Sequence, residues 1–210
     1  MSTLDQVDHL VYATPNLDGT VMALDQLLGV RASAGGQHPG RGTRNALLAI
    51  GPHSYLEIVG PDPEQHLPAH STWFGIDNLH SPKLVTWAAK SSNLEAIVLA
   101  ARRGGIPLGP IISGSRQRPD GITLSWQFTE PTLVQEDGIV PFFIDWQSSS
   151  HPAASASAGA ELTSFFAEHP ENERIKRSLA ALGLDLEVRP AAAAALVAVL
   201  RSARGEFQLR

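Results

Sequence analysis

Apolar side chains recur along this chain in two periods, one of two residues and one of three to four, and the switches between them fall at glycine, proline or asparagine. Val7 to Ala13, with Val7 and Tyr12, reads as a strand. Pro15-Asn16 ends it, and Asn16 is placed to cap a helix whose apolar face is Leu17, Val21, Leu24, Leu27 and Leu28. Gly29 stops that helix. Gly35 to Asn45 is dense in glycine and charge and reads as a loop. Ala46 to Ile50 and Tyr55 to Val59 read as two strands joined by the turn Gly51-Pro52-His53. Residues 61–82 have no period and read as a connector. The order then recurs. Val85 to Ala89 is a strand, and Asn93 caps a helix through Leu94, Ile97, Val98 and Ala101 that Gly104-Gly105 stops. Residues 106–120 are an extended piece and a loop, and Thr123 to Phe128 is a strand. Asp137-Gly138 is a turn, and Phe142 to Trp146 is a closing strand.

Ser148 to Gly159 is a linker rich in serine, alanine and proline. Beyond it, Leu162 to Ala167, a helix over Glu171 to Leu182, and strands at Leu184 to Val188, Leu196 to Leu200 and Glu206 to Leu209 give the same order a third time. The registers agree: His9 is seven residues before Asn16 and Thr86 seven before Asn93, while Ser164 is six before Pro170, as His9 is six before Pro15. Internal repetition is therefore the main organising signal. It predicts a domain over residues 1–150 made of paired modules (5–60 and 84–148), followed over 151–210 by the linker and a degenerate third βαβββ-like module. The expected fold class is α+β, with mixed, mostly antiparallel sheets curled around a cleft. Unpaired edges on a third module would leave it to pack on the pair or to mediate a homodimer.

Composition narrows the chemistry. With 43% hydrophobic and 18% charged residues, the chain has the material for a packed core. A net charge of −5 lacks the basic footprint of a nucleic-acid binder. No apolar run approaches the ~20 residues that span a bilayer. The opening residues have no basic start and no apolar stretch, so a signal peptide is not expected and a cytoplasmic location is. Cysteine is absent, which removes disulfides, thiol nucleophiles and cysteine-bound metals. The chemistry must run on His, Asp, Glu, Arg, Tyr or a bound metal.

Three acidic or basic positions interrupt apolar strands. His9 stands mid-strand, Glu57 lies between Leu56 and Ile58, and Asp145 lies between Ile144 and Trp146. A lone strand histidine is most often a core residue with one hydrogen bond. A carboxylate in such surroundings needs water or a partner, because burying it unpaired is very costly. Arg41, Arg44 or Arg116 could be that partner. The stretch His38 to Asn45 admits a phosphate cradle, a substrate clamp in which Arg41 or Arg44 binds an anion, or a loop held by its own polar groups. The clamp is the preferred reading. It is no P-loop, since Arg41 replaces the lysine and no helix follows. Arg116, Arg118 and Asp120 occupy the matching loop of the second repeat, with Asp120-Gly121 read as turn chemistry. His66 and His70 are spaced like helical metal ligands, but Pro68 between them argues against a helix. Trp87, Trp126 and Trp146 are expected in the core or on the cleft wall.

Modules opened by Asp8-His9-Leu10-Val11 and closed by Tyr55-Leu56-Glu57-Ile58 resemble the vicinal oxygen chelate superfamily, which includes glyoxalase I, extradiol dioxygenases and the fosfomycin- and bleomycin-resistance proteins. Gly35 to Asn45, Arg118-Pro119-Asp120-Gly121 and Phe142 to Trp146 are similar to the glyoxalase-like domain family within it. The resemblance implies a divalent metal ion in the cleft, held by the first and last strands of each module. By position these ligands are His9 and Glu57, then Thr86 and Asp145; Ser164 and Leu209 of the third module cannot serve. Thr86 departs from the usual histidine, which leaves His9, Glu57 and Asp145 as the expected metal set. The implied activity is that of a glyoxalase-like enzyme, a lyase, isomerase or dioxygenase-like one, on a small oxygenated, anionic metabolite. The metal would act as Lewis acid and Glu57 as base. His38, Arg41, Arg44, Asn45, Arg116 and Trp126 would bind the substrate. The rival is a metal-free protein that sequesters a small molecule, as bleomycin-resistance proteins do.

Overall fold

The computed structural model describes residues 3–65, 73–117, 121–131 and 136–210. His66, His70, Arg118 and Asp120 lie outside them. A single turn, α1 (Thr3–Gln6), leads into β1 (Val7–Ala13). Asn16 then accepts the Gly19 N–H at 3.0 Å and starts α2 (Leu17–Leu28), which Gly29 ends at φ 74. The rest of this module is β2 (Ser33–His38), β3 (Thr43–Gly51) and β4 (Ser54–Pro61). A short 3₁₀ segment, Trp73–Asn78, precedes the second module. That module comprises β5 (Lys83–Lys90), α3 (Leu94–Arg103), β6 (Ile111–Gln117), β7 (Thr123–Thr129) and β8 (Phe142–Asp145). Its helix is capped as the first is: Asn93 accepts the Ala96 N–H at 3.0 Å.

The two modules make one eight-stranded sheet, β2-β3-β4-β1-β5-β8-β7-β6. Each is an antiparallel meander whose last strand pairs in parallel with its first, β1 with β4 and β5 with β8. Antiparallel pairing of β1 with β5 joins them. The sheet curls until its edges, β2 and β6, meet: Arg116 of β6 lies against the glycine pair Gly35-Gly36 of β2. The fold is thus the expected α+β arrangement of mixed sheets around a cleft. Ser33–His38 is a strand where a glycine-dense stretch reads as a loop, and Ile111–Gln117 continues the expected extended piece into residues read as a loop, because pairing with β3 and β7 outweighs weak local preference.

The third segment follows a 3₁₀ turn at Pro152–Ala154 and runs β9 (Ala160–His169), α4 (Asn172–Ala181), β10 (Glu187–Pro190), β11 (Ala195–Ser202), β12 (Gly205–Leu209). The element order repeats, but the wiring does not. Its sheet is ordered β10-β9-β11-β12, with β10 parallel to β9, so it is no copy of the first two. It packs on the convex back of the large sheet. Leu10, Leu56, Trp87 and Phe143 share one continuous core with Phe165, Ile175, Leu196 and Leu200. Trp87 meets Phe165 edge-on at 5.3 Å and donates its indole N–H to the Ile139 carbonyl at 2.8 Å, so it belongs to this core and not to the cleft. No helix of the described residues is long and apolar enough to cross a membrane.

Candidate functional site

The concave face of the curled sheet encloses a cavity of about 420 Å³. Period two decides what each strand shows it. From the first module come His9, Asn45, Leu47, Tyr55 and Glu57. From the second come Ile112, Trp126, Phe128, Phe142 and Ile144. One side is a hydrogen-bonded polar floor and the other an apolar wall.

The floor starts with an irregularity. The β1–β5 register shifts between Val7 and His9, which leaves Asp8 as an extra residue and lets two successive side chains interact. Asp8 is 1% exposed. Its carboxylate accepts from Trp146 Nε1 at 3.1 Å and His151 Nε2 at 3.2 Å, and it lies 2.7 Å from His9 Nδ1. Burial pushes its pKa up, but the hydrogen bonds from His151 and His9 and the charges behind them outweigh burial and hold it at about 2. His151 is itself oriented, since its Nδ1 accepts the Ala153 N–H at 3.2 Å.

A carboxylate can only accept, so the proton between Asp8 and His9 sits on His9 Nδ1, and Nε2 is the atom aimed at the site. Nε2 lies 3.5 Å from Glu57 Oε2. The imidazole stacks on Tyr55 at 4.6 Å and meets Phe142 edge-on at 5.4 Å. Glu57 Oε1 accepts from Asn45 Nδ2 at 2.5 Å and lies 3.5 Å from His38 Nε2. His38 Nδ1 is 2.9 Å from the Thr43 hydroxyl. Burial pushes the Glu57 carboxyl up, yet His38, the charge on His9 and the Asn45 amide bring it to about 2. Burial next to Glu57 and Asp8 raises the Tyr55 phenol well above its usual range, against the opposing charge of Arg116.

Asp145 is not brought to this floor. It alternates out of the cavity while Phe142 and Ile144 turn in, and its carboxylate accepts the Gln147 N–H at 2.7 Å. Thr86 is buried opposite Val11 and does not line the cavity. The divalent ion that the resemblance implies therefore does not fit the residues present. The second module offers it carbon where ligands are needed, and the Asn45 N–H occupies Glu57 Oε1 and stands 3.1 Å from His38 Nε2. Among the described residues no group of three His, Asp or Glu side chains is arranged to hold a metal ion.

The other expected site residues divide. His38, Arg41, Asn45, Arg116 and Trp126 line the cavity; Arg44 does not, because its neighbour Asn45 turns inward and Arg44 instead pairs with Asp18 of α2 at 2.9 Å. Of the two arginines offered for the anion clamp, only Arg41 lines the cavity. Arg41 pairs with Glu130 of the second module across the mouth, its guanidinium 4.9 Å over the Trp73 ring. Four contributors escaped the sequence reading. Asp8 stands beside His9, and at a register shift of β1 its carboxylate reaches the imidazole from beneath the cavity lining. His151 arrives from the linker. Trp73 and Phe74 arrive from the connector, stacked at 4.8 Å, with Phe74 at φ 59, a costly left-handed conformation for a bulky residue.

A family model described as a glyoxalase-like domain matches residues 7–183. No curated protein matches the chain. Among solved structures, a hypothetical protein from Staphylococcus aureus superposes with a TM-score of 0.69 at 13% identity, covering 97% of this chain and 98% of that one. A methylmalonyl-CoA epimerase in complex with methylmalonyl-CoA and NH4+ reaches a TM-score of 0.45 at 20% identity, over 70% of this chain and 98% of that one. The methylmalonyl-CoA epimerase from Mycobacterium tuberculosis reaches 0.42 at 19% identity, over 66% and 86%.

Proposed function

Because the chain belongs to the glyoxalase-like domain family of the vicinal oxygen chelate superfamily, we propose that it is an enzyme moving a proton on a small, oxygenated, anionic molecule, with His9 as the acid–base group. The observation that carries this reading is the line Asp8–His9–Glu57, which ends in the cavity at His9 Nε2. A carbon acid next to a carbonyl would give its proton to Nε2 and leave an enolate, and return of the proton to the same or a neighbouring carbon would complete an isomerisation. Asp8 and Glu57 stabilise the imidazolium from both sides. Glu57, expected as the base, is better suited to this supporting role. A carboxyl held at about 2 is far from the working pH at which a general base is efficient.

The aromatic wall also suits the rival reading of a protein that only holds its ligand. One experiment separates the two. Incubation in D2O with a panel of 2-oxo acids, hydroxy ketones and 1,3-dicarbonyl acids is followed by proton NMR. Exchange at the carbon beside the carbonyl, falling about 10²- to 10⁴-fold in His9→Ala, is expected for an enzyme. Binding without exchange across the panel overturns the enzymatic reading in favour of sequestration. Elemental analysis after purification without chelator or nickel resin should show far less than one metal per chain. A stoichiometric metal lost in His9→Ala would overturn the metal-free site.

A further inference from the structure

Four buried side-chain polar atoms of the described residues have no hydrogen-bond partner: Arg44 Nε, Asn45 Oδ1, Trp73 Nε1 and Arg116 Nη1. Three of them belong to side chains that line the cavity described above. An unsatisfied buried polar atom is costly. A cluster of two donors and one acceptor at a binding cavity is therefore expected to have a partner that comes and goes.

The geometry places two of these atoms together. A Cβ built on Gly35 would stand 2.0 Å from Asn45 Oδ1 and 3.0 Å from Arg116 Nη1, and one on Gly36 would stand 2.9 Å from Arg116 Cδ. The glycine pair of β2 is thus the seat on which the arginine of β6 crosses from the second module to the first. Asn45, 8% exposed, cannot turn its amide round, because its Nδ2 is held by Glu57; its oxygen must face the orphan site. Arg41 is neutralised by Glu130, whereas Arg116 has no carboxylate partner among the described residues.

Each atom states a requirement. Arg116 and Trp73 need acceptors, and a guanidinium prefers a carboxylate. Asn45 Oδ1 needs an O–H or N–H. The wall of Trp126, Phe128, Phe142 and Ile144 needs carbon. We propose that the ligand is a carboxylate bearing a hydroxyl or amine on the adjacent carbon and an apolar, preferably aromatic, group beyond it. Arg116 holds the carboxylate and Asn45 receives the adjacent donor. The proposal rests on the reading of this cavity as the working site, and not on the proton transfer assigned to His9.

Calorimetric titration of the full chain with mandelate, phenylglycine and phenylacetate tests it. The three share ring and carboxylate and differ in the adjacent hydroxyl, ammonium or hydrogen. Mandelate or phenylglycine should bind at least tenfold tighter than phenylacetate, and the better of the two identifies the donor. Arg116→Gln should weaken that ligand at least tenfold, with Arg116→Lys between the two. Equal affinity for all three, or undiminished binding by an Arg116→Gln protein that melts like wild type, overturns the proposal. Should Arg116→Gln fail to fold, Gly35→Ala carries the test, since its methyl occupies the seat: unchanged binding overturns the proposal. Binding is read without turnover, so a protein that binds mandelate but exchanges no proton retires the proposed reaction and leaves the ligand class standing.

Discussion

The two halves of the large sheet have the same strand order, the same parallel closure and the same asparagine-capped helix behind them, yet they present opposite chemistry to the cavity between them. Where β4 turns Tyr55 and Glu57 inward, the corresponding β8 turns Phe142 and Ile144 inward. The backbone plan therefore carries no function of its own; function lies in which side chains the period-two alternation exposes. The halves are also interdependent. An apolar wall lowers the local dielectric, strengthens the hydrogen bonds of the floor and makes every unpaired polar atom on it more costly. Six residues that make the floor, Asp8, His9, His38, Asn45, Glu57 and His151, hold one another in a connected set, and the wall asks only for apolar volume.

Breaking the floor at its centre should have the largest effect. Asp8→Ala leaves His9, His151 and the Trp146 indole without their shared acceptor, and a loss of about 3–5 kcal/mol is expected in urea unfolding at pH 7. A loss below ~1 kcal/mol would show that the network contributes little. Acid should single out the same half. Glu57 and Asp8 are depressed in the folded chain from 4.5 and 3.8 to about 2, so their stabilisation is complete above those unfolded values and is lost as pH falls towards 2. The depression corresponds to roughly 3 kcal/mol for Glu57 and 2 kcal/mol for Asp8. Unfolding free energy measured between pH 5 and 2 should fall with pH, and Glu57→Gln should flatten that fall. An unchanged slope in the variant would remove Glu57 from the account.

Two changes outside the cavity sharpen the contrast by their smallness. Arg44→Ala breaks a pair in which Asp18 is largely exposed, so under ~1 kcal/mol should be lost and mandelate binding should be unaltered. Asp145→Asn should change stability at pH 7 by no more than about 0.5 kcal/mol, because the new amide oxygen can still accept the Gln147 N–H. A marked effect of Asp145→Asn on binding would return that residue to the site.

Much of this architecture was legible in the chain. The alternation of Val7 to Ala13, the caps at Asn16 and Asn93, the stop at Gly29 and the recurrence of the whole order depend on interactions within a few residues. Local patterns report such interactions faithfully. His9 and Glu57 were legible as well, since a charged or polar residue in an apolar setting needs a partner wherever the chain goes, whereas Asn45 and Arg116 stand in stretches that read as polar loops and take a substrate-binding role only through the family resemblance. Asp145 met the same criterion, yet its strand turns it the other way. One residue of register reverses every side chain on a strand, and pairing with β7 fixes that register.

Only the tertiary structure decided the rest. The shifted register of β1 joined Asp8 to His9, and the linker brought His151 to them from 143 residues away. Curling of the sheet set Arg116 on Gly35-Gly36 and turned part of a glycine-rich stretch that reads as a loop into a seat for an arginine. The third segment shares its element order with the first two, but its strands are wired otherwise, and it went to the back of the sheet as core. The division has one physical cause. Sequence pattern records what each residue needs, namely burial, a cap or a partner. Which partner meets the need depends on contacts between residues far apart in the chain, and those exist only once the sheet has closed.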